Sequence, residues 1–300
     1  MRTRRLVPLL LSLFLLVGTL PTIAAHAQAQ RISDTVSLDA DGSVSIDNHE
    51  GSITVTTWDR DAVQYEVEID APEDSDQLRN TEIDVDHTSR SLHLATEQRD
   101  QGDDSRWFSW NNGGDIPNVH YTLRMPRTAR LTIDDHESEI DVTGLQAELR
   151  IDTHEGPITV TDQTGEVTID SHESRTDLRN ITGRLTIDTH DGDVVVENLR
   201  GAFELDTHDG SADVTFAELT DNVEVDTHDA RITLSFPGDA GFALRTDFSD
   251  DADLDSDFDI ASLRISDDDD DEVNYRGAVN GGGPRIELES HDGRFTLRRQ

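Results

Sequence analysis

The chain has 300 residues, and its 64 acidic side chains against 25 basic ones give a formal net charge of −39. An acid excess of this size repels phosphate backbones, so it argues against nucleic-acid binding and also disfavours anionic membrane surfaces. The chain has no cysteine, which excludes disulfides and thiolate zinc sites.

Residues 1–27 resemble a secretory signal peptide. Arg2, Arg4 and Arg5 form a basic start, an apolar run continues to Leu20, and Ala25-His26-Ala27 fits a small-x-small cleavage site. A retained membrane anchor is the alternative, but the run is short for a span of about 20 residues. We therefore expect an exported chain that starts near Gln28, has no transmembrane segment, and is periplasmic, cell-surface or extracellular.

Residues 28–130 lack a tight repeat and are predicted to form N-terminal coils and a cap with an aromatic loop. Trp107, Phe108 and Trp110 precede Asn-Asn-Gly-Gly, a typical loop sequence. Paired aromatic side chains there could contact a sugar ring or a partner protein. The alternative is that they pack onto the first coil, because the ends of a repeat protein need covering.

Residues 131–236 carry one phrase six times: an aliphatic residue, an aspartate, a variable residue, a histidine and an acid. The copies are IDDHESEIDV (133–142), IDTHEGPITV (151–160), IDSHESRTDL (169–178), IDTHDGDVVV (187–196), LDTHDGSADV (205–214) and VDTHDARITL (225–234). They follow at steps of 18, 18, 18, 18 and 20 residues, and IDNHEGSITV (46–55) and LESHDGRFTL (288–297) match as well. A fixed short period indicates a repeat architecture.

Each repeat contains two short stretches in which apolar and polar residues alternate, which is typical of strands with one buried face. A strand-helix-strand unit needs about 30 residues, so the repeat is too short for one. It fits one coil of a parallel β-solenoid, with each strand paired to its copy about 4.8 Å away. Leu149 and Ile151 would then stack under Val167 and Ile169. An antiparallel sheet would also explain the alternation, but not the constant period.

Residues 237–300 are predicted to form C-terminal coils with an acidic loop. The loop is a run of six acids from Asp267 to Glu272. Such runs are usually solvated loops, and calcium binding is the alternative.

The sequence resembles the bacterial "putative adhesin" family, domain of unknown function 4097, over nearly the whole mature chain. The resemblance is carried by the order of several segments: NHEGSITVTTWDRD (48–61), VHYTLRMPRTARLTID (119–134), FPGDAGFALRT (236–246) and NGGGPRIELESHDGRFTL (280–297). It implies an all-β, right-handed β-solenoid that is exported and has a non-enzymatic surface or envelope role. The chain departs from the family where histidine and an acid replace the usual small polar residues.

In this solenoid the aspartate and the histidine of each phrase would point outward, two residues apart, and would stack into two columns. The predicted aspartate column is Asp134, Asp152, Asp170, Asp188, Asp206 and Asp226. The predicted histidine column is His136, His154, His172, His190, His208 and His228.

Two interpretations of these columns stay open. Stacked carboxylates repel each other by about 1 kcal/mol per pair in water, and a histidine beside them, with its pKa raised, can offset this. The columns would then be structural. Alternatively, imidazole and carboxylate are ligands for Zn²⁺, Cu²⁺ or Ni²⁺, and the columns would be a row of metal sites.

The sequence therefore favours a non-enzymatic, exported scaffold or adhesin without a cofactor, whose partner is an envelope or extracellular protein or a polysaccharide. A cation-binding protein is the first alternative. A polysaccharide-active enzyme is the second, but it needs a localised acid pair, which the uniform repeat does not supply.

All basic residues are arginine, and salt screens repulsion, so we interpret the charge mainly as adaptation to high salt.

Overall fold

Alternation of apolar and polar residues dominates the described chain, and strands dominate its structure. The computed structural model describes residues 30–98, 116–249, 252–265 and 273–300. In β10, Leu-Arg-Ile-Asp-Thr alternates buried and exposed side chains without exception. Such a segment can bury its apolar side chains only as a strand with one face against a core.

The N-terminal elements are β1 (Gln30–Ser37), β2 (Ser43–Asp47), β3 (Glu50–Trp58), β4 (Ala62–Asp70), the short helix α1 (Asp76–Asn80), β5 (Thr81–His87), β6 (Ser91–Gln98) and β7 (Asn118–Pro126). The regular part contains β8 (Arg130–Asp134), β9 (Glu137–Thr143), β10 (Leu149–Thr153), β11 (Ile158–Thr164), β12 (Val167–Ser171), β13 (Thr176–Thr182), β14 (Leu185–Thr189), β15 (Asp193–Arg200), β16 (Phe203–Thr207), β17 (Ser211–Glu218), β18 (Val223–Thr227) and β19 (Arg231–Phe236). The C-terminal elements are β20 (Phe242–Phe248), β21 (Asp253–Ser256), a 3-10 helix (Ala261–Leu263), β22 (Arg264–Ile265), β23 (Asn274–Val279), β24 (Arg285–Ser290) and β25 (Arg294–Arg299).

The strands form two long sheets, one of 12 and one of 13 described strands. The regular part adds one strand to each sheet in turn, and we call such a pair of strands a coil. Between the sheets lies one continuous core of aliphatic and aromatic side chains. No single coil could bury its apolar residues alone, so stability comes from the stacking of neighbours.

The predicted stacking of the regular repeats is confirmed. Leu149 and Ile151 lie opposite Val167 and Ile169 in one sheet. In the other sheet, Ile158 lies opposite Thr176 in the same parallel sense. The prediction of an all-β fold of stacked, mainly parallel coils therefore holds for the described residues.

The order of the coils in space differs from their order in the chain. The coil β2–β3 lies between the coils β6–β7 and β8–β9, and the coil β24–β25 lies between β18–β19 and β20–β21. Both displaced coils carry the copies of the phrase that stand apart in the sequence, at 46–55 and 288–297. Those copies therefore stack onto the ends of the regular part, while the chain around them forms the outermost coils.

Antiparallel strands cover both ends of the stack of coils. A purely parallel solenoid contains no such strands. At one end β5 pairs with β6, and β4 pairs with β7 and with β1. At the other end β23 pairs with β20. The open edge of a last coil would present a row of unpaired backbone N–H and C=O groups. An antiparallel strand that pairs with this coil forms hydrogen bonds with those groups.

Candidate functional site

The aspartate column forms as predicted along one sheet. Each aspartate lies near the end of its strand, opposite the aspartate of the neighbouring strand, as in the pairs Asp134–Asp152 and Asp152–Asp170. The register continues through Asp188 and Asp206 to Asp226. The displaced coils lengthen the column, because Asp47 lies opposite Asp134 and Glu289 lies opposite Asp226.

The histidine column has eight members in the structure. The six predicted histidines, His136, His154, His172, His190, His208 and His228, stack in this order, with His49 before them and His291 after them. Ring centroids of neighbours are 4.7 to 5.1 Å apart, and the ring planes differ by 3 to 13°. The seven steps make a column about 34 Å long, in which neighbouring rings lie face to face.

The acid that follows the histidine lies at the Nδ1 edge of the ring in His154, His172, His190, His208 and His291. Nδ1 of His190 and of His208 lies 3.1 Å from a carboxylate oxygen of the next residue. For His154 and His172 the distance is 3.6 and 3.7 Å. A carboxylate at Nδ1 favours a proton on that nitrogen, which leaves Nε2 of a neutral ring as a hydrogen-bond acceptor.

Burial and neighbouring carboxylates raise the pKa of several members of the aspartate column. Partial burial raises the pKa of Asp152, and the neighbouring Asp170 and Asp134 raise it further against the opposing effect of Arg150. Burial and then a neighbouring aspartate also raise the pKa of Asp188 and of Asp206. The column therefore holds its charges at a cost in free energy.

The pKa of His49 is lowered, whereas the sequence predicted raised histidine pKa values. Burial lowers its pKa, the neighbouring His136 lowers it further, and Glu137 opposes both. Desolvation therefore outweighs the nearby carboxylate at His49.

A groove runs between the two columns. Its walls are the aspartates and the histidines, and the buried residues Thr153, Ser171 and Thr189 lie at its floor. It forms a cavity of about 450 Å³ that is continued by one of about 360 Å³, and Asp206 and His208 line both. The acids that follow the histidines do not line either cavity.

The arrangement does not bring two imidazoles onto one ion. Two nitrogens bound to one Zn²⁺ at 2.0 to 2.1 Å are at most about 4.2 Å apart, whereas neighbouring parallel rings are 4.7 to 5.1 Å apart. Within residues 30–98, 116–249, 252–265 and 273–300, no group of three or more histidine or acidic side chains is placed to hold a metal ion. Metal binding by the columns stays a prediction that requires the rings to move.

The family model of Toastrack DUF4097 matches residues 42–298. The chain belongs to this family. The match covers both displaced coils and the whole regular part, and it confirms the resemblance inferred from the order of the sequence segments. No curated protein matches the chain.

Several solved structures are similar to this Toastrack chain. A "putative adhesin" from Bacteroides fragilis is 13% identical, with a TM-score of 0.39, and the alignment covers 90% of this chain and 97% of that one. A "putative cell adhesion protein" from Clostridium sporogenes is 10% identical, with a TM-score of 0.31 and coverage of 91% and 100%. A "Putative lipid binding protein" from Parabacteroides distasonis is 9% identical, with a TM-score of 0.30 and coverage of 90% and 98%.

Sequence reasoning missed a buried polar network at the N-terminal end of the groove. Asp135 accepts hydrogen bonds of 2.7 Å from the backbone N–H and from the hydroxyl of Ser138. Asn48 donates to Ser138 Oγ at 3.0 Å and accepts from Thr96 at 2.9 Å, and Thr96 contacts the Tyr121 hydroxyl at 2.7 Å. The network joins three neighbouring coils and fixes the displaced coil β2–β3 in place.

A sequence signal for this Toastrack network was present. Asp135 occupies the position that is Thr or Ser in the other five regular repeats. Burial raises the pKa of Asp135, and the hydrogen bonds from Ser138 and Thr153 oppose this. Asp135 therefore distinguishes one coil from the others, which the uniform phrase did not suggest.

Three predictions concern residues outside the described ranges: the aromatic contacts Trp107, Phe108 and Trp110, the acidic run 267–272, and the signal peptide 1–27. In the part of the chain that the structure describes, no helix is long and apolar enough to cross a bilayer.

Proposed function

We propose that this Toastrack protein is an exported, non-enzymatic interaction protein of the adhesin type. Its solenoid would serve as a scaffold that presents an extended surface to an envelope or extracellular protein or to a polysaccharide. The signal-like residues 1–27 support export, and the family match supports the repeat architecture on which the proposal rests.

The observation that carries the proposal is the uniformity of the exposed double column. His154, His172, His190 and His208 have side-chain exposures between 46 and 50%, and each has an acid at the same ring edge. Catalysis needs one localised constellation with distinct roles for its members. Equivalent sites repeated at a constant step suit the binding of an extended partner instead.

The proposal includes two finer points. We take the coils to wind right-handed with about 18 residues each, which the family resemblance and the paired registers support. We also take the acidic surface to be adapted to high salt, in which the Debye length falls to about 3 Å at 1 M.

Export and adhesion can be tested separately. Cells producing the tagged full-length chain would be fractionated, and the mass of the exported form would be measured. We expect cleavage near Gln28 and protein outside the cytoplasm. Beads coated with the exported form should then adhere to envelope preparations or extracellular polysaccharide more than uncoated beads do. Uncleaved protein in the cytoplasm, or equal adhesion of both bead types, would contradict the proposal.

Cation binding is the second candidate, because neighbouring aspartates contribute to the raised pKa of Asp152, Asp188 and Asp206 and a bound cation would relieve that repulsion. The test is calorimetric titration of the mature chain with Zn²⁺, Ni²⁺ and Ca²⁺ in molar salt. A variant with His154, His172, His190 and His208 changed to Ala is titrated beside it. Micromolar binding of Zn²⁺ or Ni²⁺ that the variant loses supports binding at the histidines, equal heats in both proteins assign the cations to the carboxylates alone, and the absence of heat with all three ions contradicts this candidate.

A further inference from the structure

The aspartate column is a row of exposed carboxylates with almost no basic partners. It continues past Glu289 to Asp247 of β20, so nine carboxylates lie on neighbouring strands, about 4.8 Å apart. Within the described ranges, Arg150 is the only arginine that forms an ion pair with the column, at 3.8 Å from Asp152. The column therefore presents a line of negative charge that the protein itself leaves largely unneutralised.

The other sheet treats its exposed carboxylates differently. There Arg31 pairs with Glu68 at 2.6 Å, and Arg179 pairs with Glu197 of the neighbouring coil at 3.2 Å. Adaptation to salt explains an acid excess over the whole surface, but it does not explain why carboxylates are paired on one sheet and stacked without partners on the other. This contrast indicates that the column is a surface for a cationic ligand.

The interval of the column restricts the ligand. A cation that uses several coils must present positive charges about every 4.8 Å, all on one side. An extended peptide does not do this, because its side chains on one face recur roughly every 6.6 Å. Single metal ions have no fixed interval at all. The matching ligand is a chain whose charged groups are covalently spaced at the coil step.

A linear polyamine with three-carbon spacers has this spacing. Four bonds separate its successive nitrogens, which are about 5 Å apart in the extended chain. Because the number of bonds is even, each nitrogen returns to the same side of the zigzag, and every ammonium group faces the column. A four-carbon spacer gives five bonds, which lengthens the interval to about 6.2 Å and turns the next nitrogen to the opposite side.

The groove beside the column suits an unbranched chain. The stacked rings of the histidine column form its second wall, and neighbouring ring centroids there are only 4.8 to 4.9 Å apart. The two cavities of the groove are continuous at Asp206 and His208. An extended tetraamine with three-carbon spacers is about 15 Å long, which equals three coil steps and places four nitrogens opposite four consecutive carboxylates.

We propose that the groove binds linear polyamines with three-carbon spacers, with one ammonium group at each carboxylate of the aspartate column. This binding site is additional to the proposed adhesion, and neither depends on the other. Neighbouring aspartates contribute to the raised pKa of Asp188 and of Asp206, and bound ammonium groups would relieve that repulsion.

The test is calorimetric titration of the mature chain with two tetraamines at neutral pH and moderate salt. Norspermine has three-carbon spacers throughout, and spermine differs from it only by one additional methylene in the central spacer. We expect norspermine to bind at least threefold more tightly, because only its four nitrogens all face the column. A smaller difference would assign the binding to charge alone and overturn the proposal. The absence of binding by norspermine would overturn it as well.

Two variants that remove equal charge locate the site. In the first, the four consecutive members Asp170, Asp188, Asp206 and Asp226 are changed to Asn, and we expect at least a tenfold loss of affinity for norspermine. In the control, four carboxylates on the outer face of the other sheet are removed by Glu139→Gln, Asp141→Asn, Asp213→Asn and Glu218→Gln. The control should keep its affinity within about twofold.

Equal losses in the two variants would place the tetraamine outside the groove and overturn the proposal. If the first variant does not fold, Asp188→Arg puts a repelling charge in the middle of the groove and should give the same loss of affinity. Unchanged binding by a folded Asp188→Arg protein would also overturn the proposal.

Discussion

At the scale of single residues, Thr176 is a polar side chain in a core column that is otherwise aliphatic at the neighbouring coils. Thr176 lies between Ile158 and Val194 of the neighbouring coils and is fully buried. Its hydroxyl has no hydrogen-bond partner among the described residues, and neither has that of Ser174 nearby in the chain. An unsatisfied buried hydroxyl costs about 1 to 3 kcal/mol.

Thr176→Val should stabilise the protein by about 1 kcal/mol, because valine has nearly the same shape and no polar atom to satisfy. Thr159→Val is the control, since Thr159 is on the outward face of the previous coil, and its change should stay within about 0.5 kcal/mol. Denaturant unfolding of both variants measures the difference. Destabilisation by Thr176→Val would show that a buried water satisfies the hydroxyl.

Asp135 is the second residue that departs from its column, and its carboxylate holds two groups of Ser138. Asp135→Ala leaves the buried hydroxyl and backbone N–H of Ser138 without this acceptor, so we expect a loss of roughly 2 to 3 kcal/mol. Asp170→Ala, at an exposed position of the aspartate column, should cost far less or nothing. Similar losses in denaturant unfolding would mean that the network contributes little.

At the scale of elements, the repeat could be predicted because a constant phrase fixes strand, turn and register together. Leu149 and Ile151 pack where their alternation places them, and the aspartate column follows from the same register. The positions of β2–β3 and β24–β25 could not be predicted, because chain order does not determine which coil an isolated copy of the phrase will join. The network of Asp135 was missed for a related reason: a single substitution in a repeat does not reveal its partners on other coils.

The turns after β11, β13 and β15 depend on the stacked glycines Gly165, Gly183 and Gly201. Gly183 has a φ of +132°, and a Cβ there would clash with the backbone carbonyl of Gly165 on the preceding coil. Gly183→Ala should therefore destabilise the protein by several kcal/mol, because neither backbone can move without breaking the sheet. Gly281 also has a positive φ but has open space around it, so Gly281→Ala should cost only about 1 to 2 kcal/mol. Thermal unfolding that shows equal losses would contradict the stacking argument.

The aspartate column predicts a pH dependence. The folded-state pKa of Asp152, Asp188 and Asp206 is raised, so protonation of these carboxylates stabilises the fold. This contribution is complete below the unfolded pKa of about 3.9 and is lost as the pH rises through the folded pKa. At pH 7 the three charges destabilise the fold. Changing all three to Asn should stabilise it by a fraction of a kcal/mol per site, since the sites are partly exposed.

The gain from these three substitutions should shrink between pH 7 and pH 4 as the wild-type carboxylates take up protons. The matched control changes Glu139, Asp141 and Asp213 on the other sheet, where no stacked column of carboxylates faces the groove. Urea unfolding of the three proteins at several pH values measures the difference. A gain that is constant with pH would mean that the charges do not interact.

At the scale of the whole molecule, the displaced coils β2–β3 and β24–β25 lie inside the stack of coils and not at its ends. Removing a terminal repeat from an ordinary solenoid shortens it and leaves the other repeats stacked. Here the strands β24 and β25 are near the end of the sequence but lie between two other coils. Phe295 and Leu297 of β25 are fully buried in the core between them.

Deleting residues 274–300 should therefore abolish the folded monomer, because it removes an internal coil and leaves the strands β18, β19 and β20 without their neighbours. Deleting residues 30–37 is the control. It removes β1, an edge strand whose side chains are mostly exposed and whose pairing is with β4 alone. The control should keep a cooperative thermal transition and a monomeric mass in light scattering, whereas the first deletion should aggregate or unfold. A folded, monomeric protein after loss of 274–300 would show that the regular coils close over the gap, and the interior position of β24–β25 would not be needed for the fold.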